Sequence, residues 1–300
     1  MLDQAISPRA IGIKAAAFLQ LVRFPNLFTA AADVLAGCLI VAGTKSSARD
    51  ILFLLLGSAL FYGAGCVLND FFDRQLDARE RPFRPIPSGR VSAAQALLLA
   101  FILFGTGLAF AAAVGGWSFR VAVVLVLLII AYDAVFRKMD LLGPLNMAAC
   151  RSANLLLGMS LAFDISRIQL VFPIVSFAYV FSLTVLSRSE VEGGLRHKGR
   201  ISGGLAAAAL IPLALALNDR LSWDFLIFMV MLAAWAGPPV ARAFLNPTPG
   251  SIGKAVKFLV LGIPLMDAAY VAGTQGWLLG MPVVLCLFPA LFFAGFFRVT

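Results

Sequence analysis

The chain has 300 residues, 61% of them hydrophobic and only 13% charged, with a formal charge of +9 and a mean hydropathy of +0.94. Apolar runs long enough to cross roughly 30 Å of hydrocarbon exclude a soluble fold and point to a polytopic membrane protein with an all-α helical bundle. The basic residues are scattered over short connections between apolar spans, which is a pattern of membrane orientation, so the bilayer is an expected partner and nucleic acid is not.

Met1 to Lys14 mixes Asp3, Arg9 and Lys14 with apolar residues and lacks a compact apolar core ending in small residues, so no cleavable signal is expected. Apolar segments follow at about 15–43, 51–68, 94–114, 119–136, 144–163, 168–187, 201–217, 222–244, 255–272 and 277–297, ten spans forming one integral-membrane domain over residues 1–300. Gly115-Gly116, Gly143-Pro144, Asn218-Asp219 and Asn246 to Gly250 are among the breaks between them. Cys38, Cys66, Cys150 and Cys286 all fall inside apolar segments with no Cys-x-x-Cys spacing, and read as small buried hydrophobes. His197 is the single histidine, which excludes bis-histidine haem and leaves hard cations on oxygen ligands, magnesium first.

If the connection at 69–93 is cytoplasmic, 18 basic residues, including those near the amino terminus, lie on that side. Only Lys45, Arg49, Arg120, Arg167 and Arg220 lie on the other, and that bias sets both orientation and span parity. The other long polar connection, 188–200, is then cytoplasmic too. Residues 51–90 and 170–200 share the order apolar helix, acidic cluster, basic stretch.

Positions 69–90 concentrate the chemistry. Asn69, Asp73 and Asp77 are spaced i, i+4, i+8, so a helix continuing past Leu68 aligns three oxygen ligands on one face. Carboxylates so placed suit a magnesium ion that keeps several waters and takes further ligands from phosphates. Asp70 is rotated about 100° from that line and is a secondary candidate. Arg74, Arg79, Arg81, Arg84 and Arg90 surround the acids with fork-shaped guanidiniums that match phosphate oxygens. The plainer alternative is a solvated helix end carrying ordinary positive-inside arginines.

Asn-Asp-x-x-Asp-x-x-x-Asp at 69–77, followed by Arg-Pro-x-Arg-Pro-Ile-Pro-Ser-Gly at 81–89, resembles the first aspartate-rich motif of UbiA-type intramembrane prenyltransferases. The resemblance runs in segment order over about residues 20–270. It implies a nine-helix membrane core in which a prenyl diphosphate is bound through Mg2+ and its prenyl group passes to an acceptor, often aromatic. On this resemblance Asn69, Asp73 and Asp77 are the catalytic residues, and Arg23 and Asn26, from Arg-Phe-Pro-Asn at 23–26, face the central cavity. Tyr132 to Lys138 is similar to a family stretch in which Tyr is followed by Lys then Arg; here Tyr132 is a candidate for the substrate cavity and the basic order is Arg137-Lys138, both joining Arg74, Arg81 and Arg84 as diphosphate-binding candidates, against the alternative of cytoplasmic anchors.

The family's second motif, commonly Asp-Val-Glu-Gly-Asp, corresponds to Glu190-Val191-Glu192-Gly193-Gly194. Glu190 replaces the first acid, and Gly194 removes one ligand of a second metal site. Glu192, Arg188, Arg196, Lys198 and Arg200 are the nearby groups able to compensate, with Arg188 and Lys198 the diphosphate-binding candidates. A further departure is the tenth span at 277–297, where Phe292, Phe293, Phe296 and Phe297 near Arg298 read as an interfacial anchor.

Arg151 and Asn154 fall inside the fifth span, where a charge costs roughly 2.5–3.5 kcal/mol and must face a cavity or a partner. Asp133 is the expected partner, and a structural ion pair competes with a polar cavity wall as the role of this pair. Asp267 in the ninth span is equally costly and has no assigned role. Three functions stay open: Mg2+-dependent prenyl transfer, a membrane terpene cyclase of the same superfamily, and a non-catalytic protein that binds or moves an isoprenoid lipid.

Overall fold

The computed structural model describes residues 16–192, 195 and 197–294; the side chain of Glu192 lies outside the described set, as do Arg9, Lys14, Gly193, Gly194, Arg196, Phe296, Phe297 and Arg298. Among the described residues the fold is entirely helical, without strands. The elements are α1 (Phe24–Ala42), α2 (Ala48–Glu80), α3 (Ala93–Val114), α4 (Gly116–Ala134), a short 3-10 turn (Phe136–Lys138) and α5 (Leu142–Met159). They continue as α6 (Val171–Glu192), α7 (Lys198–Leu217), α8 (Phe225–Leu245), α9 (Pro249–Leu261), α10 (Ile263–Gln275), α11 (Trp277–Leu285) and α12 (Leu287–Ala294).

Eight helical spans among these residues are long and apolar enough to cross a bilayer, with α9 and α10 counted as one span of 27 residues. The chain is an integral, multi-pass membrane protein. The segment expected at 144–163 is α5, 18 residues long, which carries Asn146, Arg151 and Asn154 and packs among α1, α4 and α6.

Three expected spans are interrupted, each just ahead of a proline. The first, 15–43, breaks at Val22-Arg23 before Pro25, the ninth at Gly262 before Pro264, and the tenth at Cys286 before Pro289. In each case the proline has no N–H to donate to the carbonyl four residues earlier, and its ring crowds that carbonyl. A proline is well tolerated inside the first turn of the helix that restarts. Two other helix starts are set by side-chain caps: Ser92 accepts from the Gln95 amide at α3, and Thr248 from the Ser251 amide at α9.

α1 and α5 form the seam of the molecule. Ala32, Ala36 and Ile40 of α1 and Ala148, Leu155 and Met159 of α5 belong to an apolar core shared with α6 to α11. Val34 and Cys38 of α1 and Ala153 and Leu157 of α5 join a second core with α2, α3 and α4. The two seam helices meet at glycines, with the Cα of Gly158 against the Val34 carbonyl and that of Gly37 against the Leu155 carbonyl, so a Cβ at either position has no room. Small residues that let backbones approach are how helices associate where lipid offers no hydrophobic driving force.

α2 has 33 residues, about 50 Å at 1.5 Å per residue, against roughly 30 Å of hydrocarbon. The surplus carries its polar end, Asn69 to Glu80, out of the apolar layer without a break in the helix.

Candidate active site

A cavity of about 170 Å³ lies between α1, α2, α4 and α5. Its walls include Phe61, Tyr62 and Tyr132, with Arg23 and Asp133 towards the motif end and Ser58, Arg151 and Asn154 at the opposite end. Four of the residues expected to line a substrate cavity, Arg23, Tyr132, Arg151 and Asn154, are on these walls. Asn26 sits one helical turn after Arg23, its backbone N–H donating to the Arg23 carbonyl at 2.8 Å.

The aligned face of α2 meets a different partner at each turn. Asn69 donates from Nδ2 to Asp133 Oδ1 at 3.1 Å, which joins the ligand ladder to the cavity wall. One turn on, Arg137 grips Asp73 with both terminal nitrogens, Nη2 to Oδ1 at 2.6 Å and Nη1 to Oδ2. At the third turn Arg84 Nη1 binds Asp77 Oδ2 at 2.7 Å and reaches Asp70 Oδ1 at 3.2 Å. Asp70 also takes Arg23 Nη2 at 3.4 Å, so it faces the bundle and bridges α2 to the start of α1. Asp70, Asp77 and Arg84 are all buried. Ion pairs this protected from water are screened far less than surface pairs.

The remaining basic candidates divide. Arg188 Nη2 donates to the Arg137 carbonyl at 2.5 Å and its Nη1 lies 3.6 Å from Asp140, so it buttresses the turn that presents Arg137. Lys138 stands on the same turn, exposed. Arg74 turns back on its own helix, donating to the Phe71 carbonyl at 2.8 Å with its guanidinium 4.5 Å over the Phe71 ring. Arg81 and Lys198 are exposed. Glu190, exposed near the C-terminal end of α6, lies over Gly253 of α9.

Among the described residues no three His, Cys, Asp or Glu side chains converge to enclose a metal ion. That fits the chemistry of a hydrated magnesium ion, which is held by one or two carboxylates plus phosphate oxygens and not by an all-protein cage. Asn69, Asp73 and Asp77, stacked on one face beside two guanidiniums, are the residues that would hold such an ion.

At the other end of the cavity the expected partner of Arg151 is corrected. Asp133 is taken by Asn69, and Arg151 pairs instead with Asp33 of α1, Nε to Oδ2 at 2.7 Å, while its Nη2 donates to the Thr29 carbonyl at 2.6 Å. Asn154 donates to Asp33 Oδ2 at 2.9 Å and to the Ala30 carbonyl at 2.8 Å, and accepts from the Ser58 hydroxyl at 2.7 Å. Asp267 of α10, also buried, lies beside Asp33. The cavity therefore ends on a charged network at mid-membrane depth. Asp33 and Ser58 were not expected at the site; the signal for Asp33 was a carboxylate in mid-span, which requires a cation nearby.

Comparisons with known proteins identify the family and the fold. The UbiA prenyltransferase family matches residues 30–256. A digeranylgeranylglyceryl phosphate synthase of Ignicoccus hospitalis is 30% identical over 265 residues, covering 86% of this chain and 81% of that one. One of Methanosarcina mazei is 30% identical over 286 residues, covering 85% and 97%. A solved structure concerned with digeranylgeranylglyceryl phosphate synthase superposes with a TM-score of 0.66 over 87% of this chain and 98% of its own, at 18% identity. A UbiA homolog from Archaeoglobus fulgidus bound to GPP and Mg2+ gives 0.56 over 89% and 99%, at 13% identity. With the family matched over most of its length and carboxylates stacked beside a helix-lined cavity, the chain belongs to the UbiA prenyltransferase family.

Proposed function

We propose that this protein transfers a prenyl group from a prenyl diphosphate to an acceptor within the membrane, in a Mg2+-dependent reaction. The observation that carries the reading is the stack of Asn69, Asp73 and Asp77, with Arg84 and Arg137 bound to it, opening onto a cavity walled by Phe61, Tyr62 and Tyr132.

Asn69, Asp73 and Asp77 hold the metal, with Asp70 and Glu190 as outer acids. Magnesium bound there supplies positive charge to the diphosphate oxygens as they leave. Arg84 and Arg137 exchange their carboxylates for those same oxygens, and Lys138 adds charge on the same turn, while Arg188 keeps Arg137 in place. Arg74, Arg81 and Lys198 form an outer basic rim. Arg23 and Asn26 close the mouth of the cavity. The prenyl carbon–oxygen bond breaks with the allylic carbon inside the cavity, where Tyr62, Tyr132 and Phe61 exclude water and offer ring faces to developing positive charge. The acceptor hydroxyl then forms the new bond and loses its proton at the aqueous mouth.

The name shared by the curated relatives, digeranylgeranylglyceryl phosphate synthase, favours a glyceryl phosphate lipid as acceptor over a phenol. The whole chain acts as one integral-membrane domain, with the motif end and the amino terminus in the cytoplasm.

The test is to incubate purified protein with Mg2+ and prenyl diphosphates of several lengths, and to measure diphosphate release alone, with a phenolic acid and with geranylgeranylglyceryl phosphate. Release that depends on the glyceryl phosphate supports the proposal, and Asp73→Ala and Asp77→Ala should each abolish it while leaving the protein inserted. Release with no acceptor, yielding a cyclic product, would make the protein a terpene cyclase. Tight prenyl-lipid binding with no release under any condition would make it a non-catalytic isoprenoid carrier.

A further inference from the structure

Arg23 is held in a conformation that needs support from outside its own turn. Its φ of 50° and ψ of 54° place a non-glycine residue in the left-handed region at the start of α1. Such a conformation is strained for a residue with a Cβ and persists only where its surroundings over-determine it. Local bonds supply part of that support: the Arg23 N–H donates to the Gln20 carbonyl at 3.1 Å, and Gln20 accepts from Arg90 Nη2 at 3.2 Å. The next residue supplies the rest. Phe24 stands edge-on to Phe293 of α12, centroids 5.1 Å apart, and to Phe28 at 5.6 Å, while Phe28 and Phe293 stack at 5.9 Å.

The C-terminal segment thus reaches the mouth of the cavity. α10 ends beside Gly43 at the far end of α1, and α11 and α12 return along α1 to deliver Phe293 at its start. Both Arg23 and this returning segment lie outside the part of the chain matched to the family, residues 30–256.

We propose that Phe293 is a positioning residue: by fixing Phe24 it locks the left-handed turn that keeps the Arg23 guanidinium beside Asp70 and in the cavity wall, where Arg23 meets the prenyl diphosphate. The inference rests on the proposed prenyl diphosphate site. Without the Phe293 ring, Phe24 loses an edge-to-face partner, the turn relaxes towards an ordinary helical conformation, and the guanidinium swings away from the mouth.

The experiment is a double-mutant cycle read as the affinity of the full-length protein in detergent, with Mg2+, for geranylgeranyl thiodiphosphate, a non-reacting analogue. Phe293→Ala should weaken binding about fivefold, the scale of one aromatic pair, and Phe293→Tyr, which keeps the ring, should restore it. In an Arg23→Gln background, itself weaker than wild type, Phe293→Ala should add nothing. Phe288→Ala, in the same segment but lipid-facing at 63% exposure, should match wild type. Phe293→Leu, which keeps apolar bulk without a ring edge, is read if the alanine variant fails to insert, with the same expectation.

Unchanged affinity in the Phe293 variants, or an equal loss with and without Arg23, overturns the positioning role and leaves the prenyl diphosphate site standing. Wild-type affinity in Arg23→Gln does the same. Absence of analogue binding by the wild-type protein overturns both.

Discussion

Asp73 and Arg151 face opposite problems of charge. Asp73 sits at the membrane edge, and Arg137 satisfies both its oxygens in the two-pronged geometry that only a guanidinium offers; this accounts for an Arg, and not a Lys, at position 137 of the swapped pair. Arg151 sits about 13 Å into the bundle, counting nine residues of α5 at 1.5 Å each, and is tolerable only because Asp33, itself held by Asn154, and the Thr29 carbonyl meet its guanidinium. Removing one member of a buried pair strands the other, so Asp33→Ala should destabilise the protein by about 3–5 kcal/mol. Asp33→Asn, which keeps an oxygen for Asn154 and Arg151, should cost less. Thermal unfolding in detergent checks both, and a melting curve for Asp33→Ala that overlays wild type would show the network to be dispensable.

Helix α2 and the α1–α5 crossing decide where the chemistry sits. α2 does two jobs in one uninterrupted element: its apolar length lines the cavity through Ser58, Phe61, Tyr62 and Cys66, and its polar continuation holds the ligand ladder. A break near Leu68 would separate the two. The crossing of α1 and α5 brings Asp33 to Arg151 across two glycine contacts. Gly158→Val has no space between α5 and the Val34 carbonyl, so it should force the helices apart and cost at least 1–3 kcal/mol, as overpacking does. It should also lower affinity for the prenyl diphosphate analogue, because the cavity wall moves with α5. Gly105→Val, on α3 with open space around the glycine, is the matched control and should unfold like wild type.

At the scale of the whole molecule, the ladder, its arginines and the cavity mouth share one end of the bundle, and the charge bias is the ground for the proposal that this end is cytoplasmic. A single cysteine replacing exposed Arg81 on a background without the four native cysteines should react with a membrane-impermeant thiol reagent only from the cytoplasmic side. One replacing exposed Lys45 should react only from the opposite side. Labelling with the reverse sidedness would invert the proposed topology. The arrangement suits a lipid substrate, because the tail stays in an apolar environment while the diphosphate meets cations and water at the rim.

The amino-acid sequence by itself determined the elements that depend on local rules: long apolar runs become helices because lipid leaves backbone groups no other partner, and the i, i+4, i+8 spacing aligns Asn69, Asp73 and Asp77 because α2 continues through them. Family motifs at 69–89 were legible for the same reason, being contiguous. Even the three helix breaks had a local signal in Pro25, Pro264 and Pro289. Only the tertiary structure decided which charge meets which: Asp33 and not Asp133 for Arg151, Arg84 across a loop for Asp77, Phe293 for Phe24 over nearly the whole chain. Those pairings depend on how helices far apart in sequence are rotated and crossed, which is set by packing at contacts such as Gly37 and Gly158, and no periodicity within a single helix encodes them.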